Sequence, residues 1–223
     1  MDQNQNIQRT GQKFKLESYL EAREVCKKIV ARISKNVESG MTDKDAQVLI
    51  KSEFKKDGIT RFWHPSKFRI ASDTIKIFKE APDPTIKIQP NSIYFLDVGP
   101  IINEHEADFG RTYVFEPEKN TQLGSLASAS MEIFNELQEI WRTENFTGAE
   151  LYSKAEEISQ ARGYLFNPLM AGHRLGDFPH ALISRSSLSD FDEKPVDLLW
   201  VLEVLITNKE KSLGSFYEDI LEA

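Results

Sequence analysis

Two carboxylates stand where a folding chain rarely leaves them. Asp97 lies in Ile93-Tyr94-Phe95-Leu96-Asp97-Val98, and Glu203 lies in Leu199-Trp200-Val201-Leu202-Glu203-Val204-Leu205-Ile206; both runs read as buried strands. A lone carboxylate there costs several kcal/mol unless it is paired, protonated or bound to a cation. Asp108 is centred on Asp97 across a turn region at 101–104. Glu218 is centred on Glu203 across a polar turn at 208–211, so two hairpins each present a pair of facing acids. Facing carboxylates repel, and four of them in one core imply a cation among them. His173, in Ala171-Gly172-His173-Arg174-Leu175-Gly176, adds an imidazole between glycines that let the backbone approach closely. Imidazole with carboxylates suits Mn, Fe, Co or Zn better than calcium. Five such groups exceed the needs of one tetrahedral zinc, whereas bridging carboxylates hold two ions roughly 3.5 to 4 Å apart.

The elements around these groups follow from periodicity. Leu16, Tyr19, Leu20, Ile29, Val30, Ile33 and Val37 fall near helical spacing and predict a helix over 15–38, ended by Gly40. Thr42 with Asp45 forms a capping box for a second helix, which Gly58 stops. Pro65, Pro82, Pro84 and Pro90 break any helix in the next stretch and leave room for a short strand within 68–77. Strands are expected over 92–98 and 107–115, then a helix over 121–143. A second capping box, Thr147 with Glu150, opens a helix ending at Gly163, and strands over 198–207 and 215–221 follow. Thr42 to Gly58 and Thr147 to Gly163 are equally long, each with a long helix before and strand-like text after. Two related halves are therefore expected, in an α+β sandwich with helices covering one sheet face.

Composition bounds the remaining readings. A chain of 223 residues with 40% hydrophobic and 28% charged content can build a core, expected as one domain over 14–223 behind a flexible tail at 1–13. The 28 basic and 35 acidic residues give a net −7 with no dense Lys/Arg block, which argues against nucleic acid as a partner. The longest apolar stretch, 198–206, carries Glu203 and is far too short to span a membrane. Cys26, the single cysteine, makes no internal disulfide, and the first residues lack the apolar core of a signal peptide; a soluble, cytoplasmic protein is the expectation. Trp63 and Phe178 are candidates to line an apolar substrate pocket. His105, between Glu104 and Glu106, reads as a solvated turn residue.

Asp97-Val98-Gly99-Pro100, Ala107-Asp108-Phe109-Gly110-Arg111-Thr112, Gly172-His173-Arg174-Leu175-Gly176 with His180, Leu202-Glu203 and Glu218-Asp219 together resemble the pita-bread metallopeptidases. These are the methionine aminopeptidases, prolidases, aminopeptidase P and creatinase, the M24 group. The resemblance covers about residues 14 to 222 and implies a pseudo-twofold α+β sandwich, an antiparallel sheet covered by helices. It also implies that Asp97 chelates one ion, that Asp108 and Glu218 bridge both, and that His173 and Glu203 complete the second. Such ions lower the pKa of the attacking water and polarise the substrate carbonyl. Glu203 would take the water's proton, and His180 would contact the carbonyl. His64, in Phe62-Trp63-His64-Pro65, would steady the scissile nitrogen or the tetrahedral intermediate. Trp63-His64-Pro65 is most similar to a small prolidase-like branch without the N-terminal domain of creatinase.

The chain also departs from the pattern. Arg174 stands where the family commonly has glycine, and Ala181 follows His180 where it usually has Glu. A guanidinium beside the metal site is shaped to clamp a substrate carboxylate. The implied function is a dinuclear metal-dependent hydrolase that cleaves an N-terminal or X-Pro bond of short peptides. The alternatives are a creatinase-like or ectoine-hydrolase-like enzyme acting on a small amide, and a metal-free binding module. Similar proteins are commonly homodimers.

Overall fold

Strand alternation decides which groups face which way. The computed structural model describes residues 7–117 and 121–223. In chain order the elements are helices α1 (Leu16–Lys35) and α2 (Asp43–Lys56), then strands β1 (Lys67–Ile70), β2 (Ile93–Val98), β3 (Ile101–Ile102), β4 (His105–Glu106) and β5 (Phe109–Val114). Helices α3 (Thr121–Thr143) and α4 (Gly148–Ala161) follow, then β6 (Leu165–Phe166), β7 (His173–Arg174), β8 (Trp200–Thr207) and β9 (Gly214–Ile220). Short 3-10 turns occupy Ala71–Ile75 and His180–Leu182. The main sheet runs β1-β2-β5-β9-β8-β6, with β7 also on β8, and every pairing is antiparallel.

On β2, Tyr94, Leu96 and Val98 join the core beneath the helices, as do Leu202, Val204 and Ile206 on β8. The alternate residues, Phe95 and Asp97 on β2 and Glu203 and Leu205 on β8, therefore face the other side. Phe95 and Leu205 pack there with Phe216 and Met170. The acids thus share the sheet face opposite the helices. Both expected capping boxes form: Thr42 with Asp45 at α2 and Thr147 with Glu150 at α4. The expected stops at Gly58 and Gly163 take left-handed backbone just past their helices, whereas Gly40, also left-handed, lies five residues beyond the end of α1 and does not stop it.

Several expectations are corrected. The first helix ends at Lys35 rather than 38. The strand expected within 68–77 is only Lys67–Ile70, because Ala71 takes a φ of 50° and turns the chain into the 3-10 segment. The turn expected over 101–104 is tighter: Ile101 and Ile102 pair with Glu106 and His105, around Asn103 and Glu104, both with positive φ. Two such residues in succession fit a two-residue hairpin turn. His105 is not solvated. It is 2% exposed, its Nδ1 lies 2.6 Å from the Asn103 carbonyl, and its Nε2 accepts from the Lys15 N–H at 2.8 Å.

The tail expected over 1–13 is tied down where it is described, from residue 7 onward. The Gln8 side chain bonds Val196 and Trp200, and Asp177 accepts from the N–H groups of Gly11 and Lys13. Among the described residues no helix is long and apolar enough to cross a membrane.

Candidate active site

The strand registers set the acids in a row. Asp97 lies opposite Gly110, Gly110 opposite Glu218, and Glu218 opposite Glu203, across β2, β5, β9 and β8. Asp108 precedes β5 by one residue and falls on the face of Gly110, diagonal to Asp97 rather than directly opposite it. All four carboxylate residues are at most 9% exposed. Glu203 Oε2 accepts from Gly172 N at 2.6 Å, where Gly172 holds a φ of 64° and passes so close to the Val201 carbonyl that a Cβ would lie 2.5 Å from its oxygen. Only glycine fits that approach. The next residue, His173, sits on β7 with its Nε2 3.0 Å from Asp108 Oδ2.

His64 reaches the row from a different segment. Phe62 bridges Pro100, and Trp63 N donates to Gly99 O, so the 61–64 stretch lies along the end of β2. That places His64 Nε2 3.3 Å from Asp108 and 3.5 Å from Asp97. Trp63 anchors its indole N–H on the Ala107 carbonyl and puts its ring against His64, His173 and His180. His180 stacks on His173 with ring centroids 5.8 Å apart, and its Nδ1 lies 2.6 Å from Glu106 Oε2.

These groups line one cavity of about 580 Å³. Sequence reasoning missed several others that line it: Lys67, Phe78, Lys79, Leu169, Arg185 and Ser187. Phe78 and Lys79 are carried in by a loop that buried Arg69 grips through the carbonyls of Ile77 and Glu80. Only the exposed apolar character of Phe78 and Leu169, 48% and 64% exposed, sets this mouth apart. No local sequence signal marks it.

Two of the expected residues are elsewhere. Arg174 alternates with His173 along β7 and so turns away from the cavity; it is fully buried, and its guanidinium donates to the backbone carbonyls of Ile7 and Arg9. The substrate clamp expected of it does not form. Phe178 lies outside the cavity under the Arg61 guanidinium, 5.2 Å from ring centroid to Cζ.

Electrostatics show what the row lacks. Burial, reinforced by Asp108 and Glu203 and only partly relieved by His64, pushes Asp97 up to about 6. Burial and neighbouring carboxylates likewise raise Glu203, and raise Glu218 well above the usual carboxylate range. Burial alone would depress the two imidazoles, but Asp97 and Asp108 raise His64 to about 9, and Asp108 raises His173 to about 9. Those imidazoles in turn hold Asp108 below the ordinary range despite its burial. The site draws in positive charge wherever a group can carry it.

A metal fits this donor set. His64, Asp97 and Asp108 offer ligand atoms within 4.8 Å of one another, as do Asp108, His173 and Glu218, so Asp108 belongs to both groups. Glu218 Oε1 is buried with no hydrogen-bond partner, which a bound cation would satisfy. Mixed imidazole and carboxylate donors suit a first-row transition ion.

Comparison with known proteins agrees with this arrangement. Residues 17–211 match Metallopeptidase family M24, and the chain belongs to that family. No curated protein matches it. Among solved structures, a methionine aminopeptidase from Thermotoga maritima superposes with a TM-score of 0.74 at 13% identity, over 97% of this chain and 95% of that one. A prolidase from Pyrococcus horikoshii OT3 gives 0.73 at 19% identity, over 99% of this chain and 62% of that one. An X-Pro aminopeptidase from Thermotoga maritima MSB8 gives 0.69 at 19%, over 95% and 62%. The chain thus spans nearly all of the first but under two thirds of the other two. The fold is the pita-bread fold, and the protein is a metallopeptidase of the M24 family.

Proposed function

We propose that the cavity is the active site of a two-metal peptidase acting on the N-terminal or X-Pro bond of short peptides. The observation that carries this reading is the convergence of Asp97, Asp108, Glu203, Glu218 and His173 on one cavity, with Asp108 shared by both donor groups. Asp97 would hold one ion, Asp108 and Glu218 both, and His173 and Glu203 the second. Bound there, the ions would supply water activation and carbonyl polarisation.

The chain's own groups do the rest. Glu203 is fixed through Oε2 by Gly172 N, and its raised proton affinity suits it to take a proton from an attacking water. His180 has Nδ1 engaged by Glu106; with the ring proton there, Nε2 is an acceptor, suited to a substrate N–H rather than to the carbonyl oxygen first expected. His64, beside Asp97 and Asp108, is placed to steady the scissile nitrogen, and Trp63 forms an apolar wall that holds all three rings.

Lys67, Lys79 and Arg185 line the same cavity, and none forms an ion pair among the described residues. The free carboxylate of a short peptide supplies the missing partner. These cations take the role first expected of Arg174.

Elemental analysis of metal-reconstituted wild type and Asp108→Ala tests the site. About two ions per chain in wild type and loss of both in the variant are expected, because a shared ligand serves both positions. Equal, near-zero metal in the two proteins would remove the reading. Dipeptides, X-Pro peptides and small amides offered to the metal-loaded protein then assign the bond.

A further inference from the structure

Glu106 is a carboxylate that the reaction described so far does not use. It is 1% exposed, and His180 is its single ion-pair partner among the described residues. Both of its oxygens serve that one residue: Oε1 accepts from the His180 backbone N–H at 3.1 Å, and Oε2 lies 2.6 Å from Nδ1. A carboxylate this far from water is costly unless its hydrogen bonds are made, and here His180 makes them.

The backbone around the pair is fastened as well. Glu106 N donates to Gly176 O, Phe178 N donates to Glu104 O, and His105 bridges Asp177. The β3–β4 hairpin is thus zipped to the segment that leads into His180. Ala181, next in the chain, has no polar side-chain group that could do the same.

We propose that Glu106 is a positioning residue for His180. It keeps a proton on Nδ1 and locks the ring, so that Nε2 is left as an acceptor for a substrate N–H. The proposal rests on the peptidase reading for its kinetic consequence but not for the tautomer. A carboxylate suits the task because it accepts at both oxygens. A glutamine in its place accepts at only one. Either its amide N–H₂ faces the backbone N–H of His180, donor against donor, or it donates to Nδ1 and drives the ring proton to Nε2.

The first measurement is ¹⁵N NMR of the metal-free protein with labelled histidine, with the His180 signals identified by their loss in His180→Ala. A proton on Nδ1 of His180 is expected in wild type and in Glu106→Asp, and its loss or exchange in Glu106→Gln. An unprotonated Nδ1 in wild type overturns the proposal, and so does a Glu106→Gln variant in which both the Nδ1 signal and kcat are unchanged. The wild-type and Glu106→Asp spectra decide the matter even if the glutamine variant does not fold.

The second measurement is kinetic, on metal-loaded proteins of equal metal content. Glu106→Gln is expected to lower kcat roughly ten- to hundredfold with little change in KM. Adding Glu106→Gln to His180→Ala should cost nothing further, because the two groups act as one. Losses that multiply in the double variant overturn the action through His180. Absence of peptide turnover in metal-loaded wild type overturns the peptidase reading instead, and the spectra still decide the tautomer.

Discussion

Glu203 and Glu218 stand directly opposite each other across β8 and β9, on the face of the sheet that looks away from the helices. Facing acids on paired strands destabilise a sheet in water and do so more strongly out of it. The fold therefore keeps a site whose own charge works against it until something positive arrives.

That relationship predicts a pH dependence of the metal-free protein. Asp97, Glu203, Glu218, His64 and His173 all have raised proton affinities in the folded state. A group of this kind contributes stability that is fully present below its unfolded pKa and lost as pH rises through its folded value. For the two imidazoles the window runs from 6.5 to about 9. Asp108 has the opposite sign, but its depressed value puts its effect in acid, outside that window. Urea midpoints in chelator should therefore fall from pH 6.5 to 9, and saturating manganese should flatten the slope. Parallel slopes with and without metal would contradict the account.

Arg174 should behave as a structural residue. Arg174→Ala leaves the carbonyls of Ile7 and Arg9 without their donor and is expected to cost about 1.5 to 3 kcal/mol in urea unfolding. Its activity per folded molecule should stay near wild type. The reverse pattern, full stability with lost activity, would return Arg174 to the substrate.

The cations at the cavity mouth should read a carboxylate. On wild type, kcat/KM for a dipeptide is expected to exceed that for its C-terminal amide by roughly ten- to hundredfold, the worth of a charge-assisted hydrogen bond. In the Lys79→Ala, Arg185→Ala double variant the preference should shrink toward unity. Acid and amide treated alike by wild type would remove the carboxylate from the substrate description.

Gly99 tests how closely the His64 segment must lie on β2. A Cβ at residue 99 would sit 2.1 Å from the His64 ring and 2.5 Å from the Trp63 indole nitrogen. Gly99→Ala must displace both rings, and a shift of about an ångström in a reacting group costs about a hundredfold in rate. Steady-state kinetics showing that loss, with a melting temperature close to wild type, is the expected result. Undiminished kcat/KM would show that His64 has no part in turnover.

Asp97 and Glu203 were legible because each interrupts an apolar run, and Asp108 and Glu218 because each stands across a turn from one of them. The β8–β9 register was legible too, since a plain polar turn separates the two strands. The β2–β5 register was not. Gly99-Pro100 and Ala107-Asp108 break that hairpin, and its centre lies between Asn103 and Glu104, so Asp108 falls diagonal to Asp97. Two-residue strands such as β6 and β7 carry no periodicity to read. Without β7 the direction of Arg174 cannot be inferred. Glu106 looked like one of several polar turn residues, because the histidine that uses it lies 74 positions away. Lys67, Lys79 and Arg185 come from separate segments that only the folded chain brings to one mouth.

The two-residue strand β7 also limits what insertion and deletion can do to this chain. His173 and Arg174 are consecutive, yet one serves the acids and the other secures the N-terminal segment on the opposite face. A slip of one residue in the pairing of β7 with β8 would exchange them. The guanidinium would then enter the acid row as a permanent cation and occupy the place of an exchangeable ion, while the imidazole, too short and with too few donors, would be left under Ile7 and Arg9. Length changes in the loops that flank β7 are therefore tolerable only if they leave that pairing in phase. A protein shifted by one position there would look folded and charge-balanced and would have no use for metal.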